Sequence, residues 1–182
     1  MNIKITRPTK KDKQEILNLF ETTIKKAFKD EGVEEDEQGM KEEIESKKQS
    51  LNKNFQTNGK DRYFLIAKAD SKIVGTISFG KSNDLINKIT KNKYKNIWEI
   101  ATVYVLPEYQ GKGIGKKLFN AIILSMMSRR IEEFCLDSGY KKARDHWTKK
   151  LGNPTIVEKN YWGKNAHHMI WKRKIENISI DI

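Results

Sequence analysis

The sequence predicts one domain of the mixed α/β (α+β) class. The chain has 182 residues, which is about the length of one ordinary domain. Segments with the period of a helix alternate with short runs of β-branched and aromatic residues, which are typical of strands. The sequence has neither an internal repeat nor a linker-like stretch, and its three prolines all stand between periodic segments. We therefore expect residues 1–182 to form a single domain.

The first half of the chain predicts a strand, two amphipathic helices and a β-hairpin. The first helix begins after Thr9 and Asp12, which have the pattern of an N-cap. The hairpin turns through Asp70 and Ser71. In chain order the elements are a strand over 3–6, a helix from the N-cap to Phe28, a helix from Met40 to Phe55, and strands over 63–67 and 73–79.

The second half predicts alternating strands and helices after an irregular segment. Residues 81–96 are polar with isolated Ile and Leu, so we expect a loop or an irregular insertion there. The further elements are a strand over 97–105, a helix after Gly113, a strand over 133–137, a helix over 141–150, and two last strands over 155–157 and 168–171.

Charge and cysteine content exclude several classes of protein. A single cysteine cannot form an internal disulfide, and no apolar run or leader-like segment is present, so we expect a soluble cytoplasmic protein without a membrane partner.

The net charge is +12, yet residues 30–45 hold nine acidic residues and one lysine. This acidic segment carries −8 and leaves +20 on the rest of the chain. Such segregation predicts separate surfaces for cations and anions, although solvated faces would have the same pattern.

The most informative motif is a glycine-rich loop that follows a strand and precedes a helix. Glycine stands at alternate positions, Gly111, Gly113 and Gly115, and Lys112, Lys116 and Lys117 surround them. A helix N-terminus presents unpaired amide groups and partial positive charge, so it binds anions. The spacing fits neither a Walker A loop nor the dinucleotide-binding fingerprint. We predict a loop that binds a diphosphate, with a simple turn before a core helix as the alternative.

The segment Gln110–Gly115 resembles the acetyl-CoA signature of the GNAT superfamily of N-acetyltransferases, Q/R-x-x-G-x-G/A. The residues before it resemble the family's preceding strand and turn. Residues 143–152 resemble its later helix motif, and the opening strand and Ile73-Val-Gly75 have weaker counterparts. The resemblance implies a mostly antiparallel central sheet of about six or seven strands, splayed at the acetyl-CoA site and flanked by about four helices.

The resemblance also implies which residues bind acetyl-CoA, the expected co-substrate. The pantetheine arm would extend the sheet by pairing with the backbone of the strand that ends at Val105. The backbone N–H near Val103 would stabilise the oxyanion, and the amides of 111–116 would hold the diphosphate. The implied coenzyme-binding residues are Val103, Tyr104, Val105, Gln110, Gly111, Lys112, Gly113, Ile114, Gly115, Lys116 and Tyr140.

Glu99 is the candidate general base, because it stands eleven residues before Gln110, as in family members that modify lysine. Unless a bulge intervenes, strand alternation places Glu99, Val103 and Val105 on one face. Glu99 could instead only order water or an amine. The tyrosine that often protonates the coenzyme thiolate is replaced by Trp147, which has no acidic group. Tyr140 is a weak substitute candidate and could instead contact pantetheine or pack.

Other conspicuous residues predict structural roles. Cys135 lies between apolar neighbours and reads as a core residue. Trp162, Trp171 and Tyr161 lie in the last hairpin region, where core packing is favoured over an acceptor-pocket wall. No cluster of Cys, His or carboxylates has metal-ligand spacing, so we expect no metal.

The leading hypothesis is an acetyl-CoA-dependent N-acetyltransferase, in which a primary amine attacks the thioester directly. The acceptor is a small molecule or peptide, and the acidic segment suggests that it is cationic. Two alternatives remain: a catalytically silent acyl-CoA-binding sensor, and a basic nucleic-acid-binding module, which the lack of nucleic-acid motifs disfavours. The sequence leaves a homodimer open.

Overall fold

The computed structural model of the protein describes residues 1–180, and Asp181 and Ile182, the last two residues of the expected domain, lie outside it. Within residues 1–180 it contains seven strands in one sheet and five α-helices. The strands are β1 (Ile3–Thr6), β2 (Arg62–Ala69), β3 (Lys72–Lys81), β4 (Trp98–Val105), β5 (Glu133–Ser138), β6 (Ile156–Glu158) and β7 (His168–Lys174). The helices are α1 (Lys13–Glu31), α2 (Glu37–Gln56), α3 (Asp84–Ile89), α4 (Ile114–Met127) and α5 (Lys141–Leu151).

The sheet is open and mostly antiparallel, with the strand order β1-β2-β3-β4-β5-β7-β6. Only the β4–β5 pair is parallel among the pairings of the described chain. The predicted fold class, the hairpin and the mostly antiparallel sheet are therefore confirmed. No helix within residues 1–180 is long and apolar enough to cross a membrane.

The core lies on the sheet, where apolar stripes of α1 and α4 are buried. Phe20 of α1 packs against Phe64 of β2, with ring centroids 6.4 Å apart. Phe119 of α4 packs against Phe134 of β5 at 6.2 Å, and all four rings are fully buried or nearly so. Burial of each such ring stabilises the fold by roughly 1.5–3 kcal/mol relative to leaving it exposed.

The N-terminal boundary of α1 follows the predicted cap. The carboxylate of Asp12 accepts hydrogen bonds from the backbone N–H of Thr9 at 2.7 Å and from its hydroxyl at 2.8 Å. A short 3-10 turn over Lys10–Asp12 leads into the helix. Lys68 of β2 also donates to Asp12 at 2.6 Å, so the cap is tied to the sheet.

The expectation of an irregular segment over 81–96 is corrected by helix α3. The side chain of Asn83 accepts the backbone N–H of Ile86 at 2.8 Å, which caps the helix start. Ile86, in the first turns of the helix, is fully buried. Six residues are too few to display a helical period, and this is why the polar composition suggested a loop.

Candidate active site

Strands β4 and β5 separate soon after they meet. Their parallel pairing consists of Trp98 with Phe134 and Glu99 with Cys135. From Ile100 to Val105, no strand of the described chain pairs with β4 on its β5 side. The sheet therefore has an open, wedge-shaped gap with exposed backbone groups along one wall, which is the splay that the sequence predicted.

A β-bulge reshapes the wall of this gap. Ser78 pairs with Ala101 and Thr76 pairs with Tyr104, so β4 has one residue more than β3 between these pairs. Thr102 has a φ of +56°, and its backbone oxygen accepts the Thr76 hydroxyl at 2.9 Å. A bulge of this kind bends a strand and re-aims its side chains.

The bulge overturns the face assignment that simple alternation gave. Glu99 lies near Lys47 of α2, and Tyr104 donates its hydroxyl to Glu43 of the same helix. Residues five apart on a regular strand would face opposite sides. Both side chains face α2 because the bulge inserts one residue between them, so Glu99 does not share one alternating face with Val103 and Val105.

The glycine-rich loop follows β4 and opens α4. Gly111 and Gly113 have φ values of +74° and +78°, a backbone conformation that residues with a Cβ rarely adopt. The Gln110 side chain donates to the carbonyl of Val105 at 3.0 Å and braces the turn. Lys117 donates the backbone bond to the Gly113 carbonyl, so the amides of Ile114 and Gly115 precede it at the helix N-terminus.

The loop has room for a bound diphosphate. A Cβ built on Gly111, Gly113 or Gly115 would meet no atom within 4 Å, so the space in front of these residues is open. Gly115 lies inside the helix with an ordinary φ, and here the missing side chain provides access to the backbone. Lys112 is exposed beside the loop, with its ammonium 5.0 Å from the Tyr109 ring. This arrangement fits an anionic ligand.

Glu99 lies at the closed end of the gap and is only 3% exposed. Its Oε1 accepts a hydrogen bond from the Asn83 amide at 3.0 Å, and its Oε2 lies 3.5 Å from Nη2 of Arg62. Oε2 accepts no hydrogen bond among residues 1–180. Burial raises the pKa of Glu99 to about 7, against the opposing effect of Arg62 and with a further raising effect of Asp137.

The polar partners of Glu99 were not predicted from the sequence. Asn83 donates to Glu99 and also to Asp137 of β5, at 3.2 and 3.3 Å to its two carboxylate oxygens. His168 of β7 contacts Asp137 Oδ2 through Nε2 at 2.9 Å. The one available signal was a charged residue, Asp137, directly after the apolar run Phe134-Cys-Leu136 of β5.

A second missed residue, Glu43 of α2, bridges two tyrosines across the gap. Tyr104 of β4 donates to its Oε1 at 3.0 Å, and Tyr140, at the start of α5, donates to Oε2. Burial and the Glu43 carboxylate together raise the pKa of Tyr104 and of Tyr140 well above the ordinary value for tyrosine. The Tyr140 ring also lies 6.2 Å from the Phe28 ring.

Among the other conspicuous residues, Trp147, Cys135 and Trp171 are buried in the fold, whereas Trp162 is exposed. Trp147 is buried against Phe119, and Cys135 is buried, which raises the pKa of its thiol. Trp171 is fully buried, as expected. Trp162 is 58% exposed, so the expectation that it packs in the core is wrong. Residues 1–180 contain no group of three or more His, Cys, Asp or Glu placed to hold a metal ion.

Comparison with known proteins identifies the family. The sequence model of the acetyltransferase (GNAT) family matches residues 20–152. No curated protein matches the chain. Three solved structures share the fold at low sequence identity, each covering 99% of the known chain. They are the PaiA N-acetyltransferase of Thermoplasma acidophilum in complex with coenzyme A (22% identity, 96% of this chain, TM-score 0.69), yncA of Salmonella typhimurium with its cofactor acetyl-CoA (17%, 100%, 0.68), and the ribosomal-protein-alanine N-acetyltransferase of Brucella melitensis (17%, 94%, 0.66).

The family match covers well over half of the chain and includes β4, the glycine-rich loop and β5. The open gap, the loop and the buried carboxylate lie within that match. The chain belongs to the acetyltransferase (GNAT) family.

Proposed function

We propose that the protein, residues 1–182 as one domain, is an acetyl-CoA-dependent N-acetyltransferase that acts on a primary amine by direct transfer. One observation carries the proposal: the β4–β5 gap is open along the backbone of β4, and a buried carboxylate, Glu99, lies at its closed end. The coenzyme arm can pair with the open backbone of β4, and the amine nucleophile can give its proton to the carboxylate.

Acetyl-CoA supplies the activated acetyl group as a thioester. In the proposal, the backbone of Val103 and Val105 pairs with the coenzyme arm, with Tyr104 beside it. The Val103 N–H binds the thioester oxygen, where in other enzymes one such donor contributes about 2.7–4 kcal/mol. The remaining coenzyme-binding residues are Gln110, which braces the turn, and the diphosphate loop of Gly111, Lys112, Gly113, Ile114, Gly115 and Lys116.

Glu99 is the proposed general base. An alkylamine with a pKa of about 10.4 is neutral in only about one molecule in two to three thousand at pH 7, so it needs a proton acceptor. A carboxyl whose pKa is raised to about 7 suits that role at neutral pH. The buried Oε2, which accepts no hydrogen bond within residues 1–180, is the atom left to accept one from the amine.

No dedicated general acid is proposed beyond Tyr140, and its surroundings weigh against even that role. Its hydroxyl donates to Glu43, which together with burial makes the phenol a weaker acid than usual. In the proposal Tyr140 therefore contacts the coenzyme arm or holds α5 in place, and solvent protonates the thiolate.

The acceptor is proposed to be cationic. The exposed residues Glu34, Glu35 and Glu37 lie just before or at the start of α2, the helix that also supplies Glu43 and Lys47 near the gap. These carboxylates would attract a cationic small amine and a cationic peptide amine alike. The relative from Brucella melitensis is named for a ribosomal-protein alanine, which is an example of a peptide acceptor.

Two measurements test the proposal: calorimetry with acetyl-CoA, followed by thiol release from acetyl-CoA across a panel of polyamines, aminoglycosides and lysine peptides. Binding together with amine-dependent thiol release supports a transferase. Binding without turnover on any amine favours the alternative of a sensor, which is supported by the presence of Trp147, a residue with no acidic group, where the family often has a tyrosine. Absence of binding would overturn the proposal.

A further inference from the structure

A continuous set of hydrogen bonds runs from Glu99 to the protein surface. Asn83 joins Glu99 to Asp137, and His168 Nε2 lies 2.9 Å from Asp137 Oδ2. On the other side of the ring, Trp162 donates its indole N–H to His168 Nδ1 at 3.1 Å. Glu99 and His168 are almost fully buried, while Trp162 is largely exposed.

The indole determines the protonation state of the imidazole. An indole N–H can only donate, so Nδ1 of His168 must accept and carries no proton. The proton of the neutral ring then lies on Nε2, where it is donated to Asp137. The Asn83 amide directs one hydrogen to each carboxylate, which leaves Asp137 with two donors and no acceptor partner among these groups. Asp137 is therefore held by a donor on each side.

The site includes room made for the indole. A Cβ on Gly139 would lie 2.7 Å from Trp162 Nε1 and 3.4 Å from His168 Nδ1. Any other residue at position 139 would displace the donor from the ring. Gly139 follows β5 directly, two residues after Asp137, so the strand end and the indole fit together.

Charged and titratable groups reach Glu99 from each neighbouring element. Arg62 approaches from β2, Lys47 from α2 and Asp137 from β5, while Cys135 is its backbone neighbour on β5 and is buried. Arg62 and Lys47 favour the ionised form of Glu99, and Asp137 together with burial opposes it. Asp137 is the one negative group in this set, and His168 is one of the two residues that orient its carboxylate.

We propose that Asp137, oriented by His168 and Trp162, is a positioning residue that places a fixed negative charge beside Glu99 and so keeps Glu99 able to take up a proton near neutral pH. The inference rests on the proposed function for its catalytic meaning. Neither asparagine nor indole can pass a proton along, so the set acts through charge and orientation and does not conduct protons.

The test follows the titration of Glu99 directly, by carbon NMR of protein labelled at the glutamate side-chain carboxyls, with Glu99→Gln used to assign the signal. In Asp137→Asn the titration midpoint of Glu99 should fall below about 7, because the neighbouring negative charge is gone, and should stay above the ordinary 4.5, because burial, the largest cause of the raised pKa, remains. His168→Phe removes the donor and should lower the midpoint by a smaller amount. His168→Gln restores an amide donor and should bring the midpoint back toward that of the unsubstituted protein.

The role of Trp162 is tested by imidazole nitrogen shifts. In the unsubstituted protein these should show the proton of His168 on Nε2. Trp162→Phe removes the donor to Nδ1 and should leave Nδ1 free to carry a proton, whereas Tyr161→Phe, whose ring centroid lies 5.9 Å from that of His168, should leave Nδ1 without one. An Nδ1-protonated ring in the unsubstituted protein would overturn the inference.

The outcomes separate this inference from the proposed function. An unchanged Glu99 midpoint in Asp137→Asn overturns the inference even if the enzyme transfers acetyl groups, and the pair His168→Phe and His168→Gln decides the matter if Asp137→Asn does not fold. A lowered midpoint in a protein that releases no thiol with any amine supports the placed charge and overturns the proposed function. In an active enzyme, the lower limb of the pH profile of kcat/KM should shift with the NMR midpoint.

Discussion

The two ends of the β4–β5 gap are built on different principles. The proposed diphosphate end is one contiguous loop, whose contacts are backbone amides and whose surroundings are open. The proposed acceptor end is assembled from side chains on β2, β4, β5, β7 and the cap of α3, and its central carboxylate is buried. A backbone site can be exposed without losing its shape, whereas buried charges need partners from several elements. Substitutions at the two ends should therefore have different consequences.

The largest expected effect is at the buried end. Glu99→Gln should lower kcat/KM by about 10²–10⁴-fold at neutral pH, because an amide cannot accept the proton of the amine. Acetyl-CoA affinity, measured by calorimetry, should be unchanged. Glu133→Gln, a half-exposed glutamate on β5 paired with Lys172, is the matched control and should be close to unsubstituted activity.

The pH profile sharpens this prediction. Glu99 must be ionised to act, so log kcat/KM should rise with pH up to about 7 and then level off. In Glu99→Gln the rise should continue toward the amine pKa of about 10.4, because only pre-formed neutral amine can react. A continuing rise in the unsubstituted enzyme would remove Glu99 from the mechanism.

The next largest effect is expected on the free energy of unfolding, when Glu43 of α2 is replaced. Glu43→Ala removes the acceptor of both the Tyr104 and the Tyr140 hydroxyl, and should reduce the free energy of unfolding by about 1–3 kcal/mol. Denaturant titration measures the change. Glu42→Ala, an exposed neighbour on the same helix, should have little effect. Equal losses in the two variants would show that the bridge contributes nothing to stability.

At the backbone end, stability and binding should move in opposite directions. Gly115→Leu replaces a helical glycine at a position where an added Cβ would meet no atom within 4 Å, so it should stabilise the fold by about 0.5–1 kcal/mol. Unlike alanine, which the acetyl-CoA signature accepts at this position, the leucine side chain fills the space in front of the loop, so acetyl-CoA affinity should fall by at least about tenfold, or about 1.4 kcal/mol. Thermal unfolding and calorimetry measure the two quantities. Undiminished affinity would contradict the assignment of the diphosphate loop.

The smallest effect is expected in the acidic segment. Replacing Glu34, Glu35 and Glu37 with Gln should raise KM for a cationic amine by about two- to fivefold in total, since exposed charges are screened by solvent and contribute little each. Asp36 is left in place because its side chain caps α2 by accepting the Gly39 N–H. The increase should shrink at high salt, and an unchanged KM would remove the segment from acceptor recognition.

Contiguous features were predictable and non-contiguous ones were not. The glycine spacing after a strand indicated the loop, because both the strand and the helix N-terminus are local. Asn83 was not predicted as a site residue, because α3 is short and because the side chain that caps it also donates to Glu99, sixteen residues away. The bulge at Thr102 escaped too, because register is decided by pairing with β3 and not by the residues of β4.

Composition, periodicity and glycine spacing were enough to predict a mixed α/β fold with a glycine-rich loop between a strand and a helix, because those properties depend on short-range backbone preferences. The tertiary structure decided which carboxylate is buried, which side it faces and what holds its neighbour's charge. Burial, a shifted register and the proposed tautomer of His168, which depends on an indole 25 residues after Asp137, do not exist until distant segments pack together.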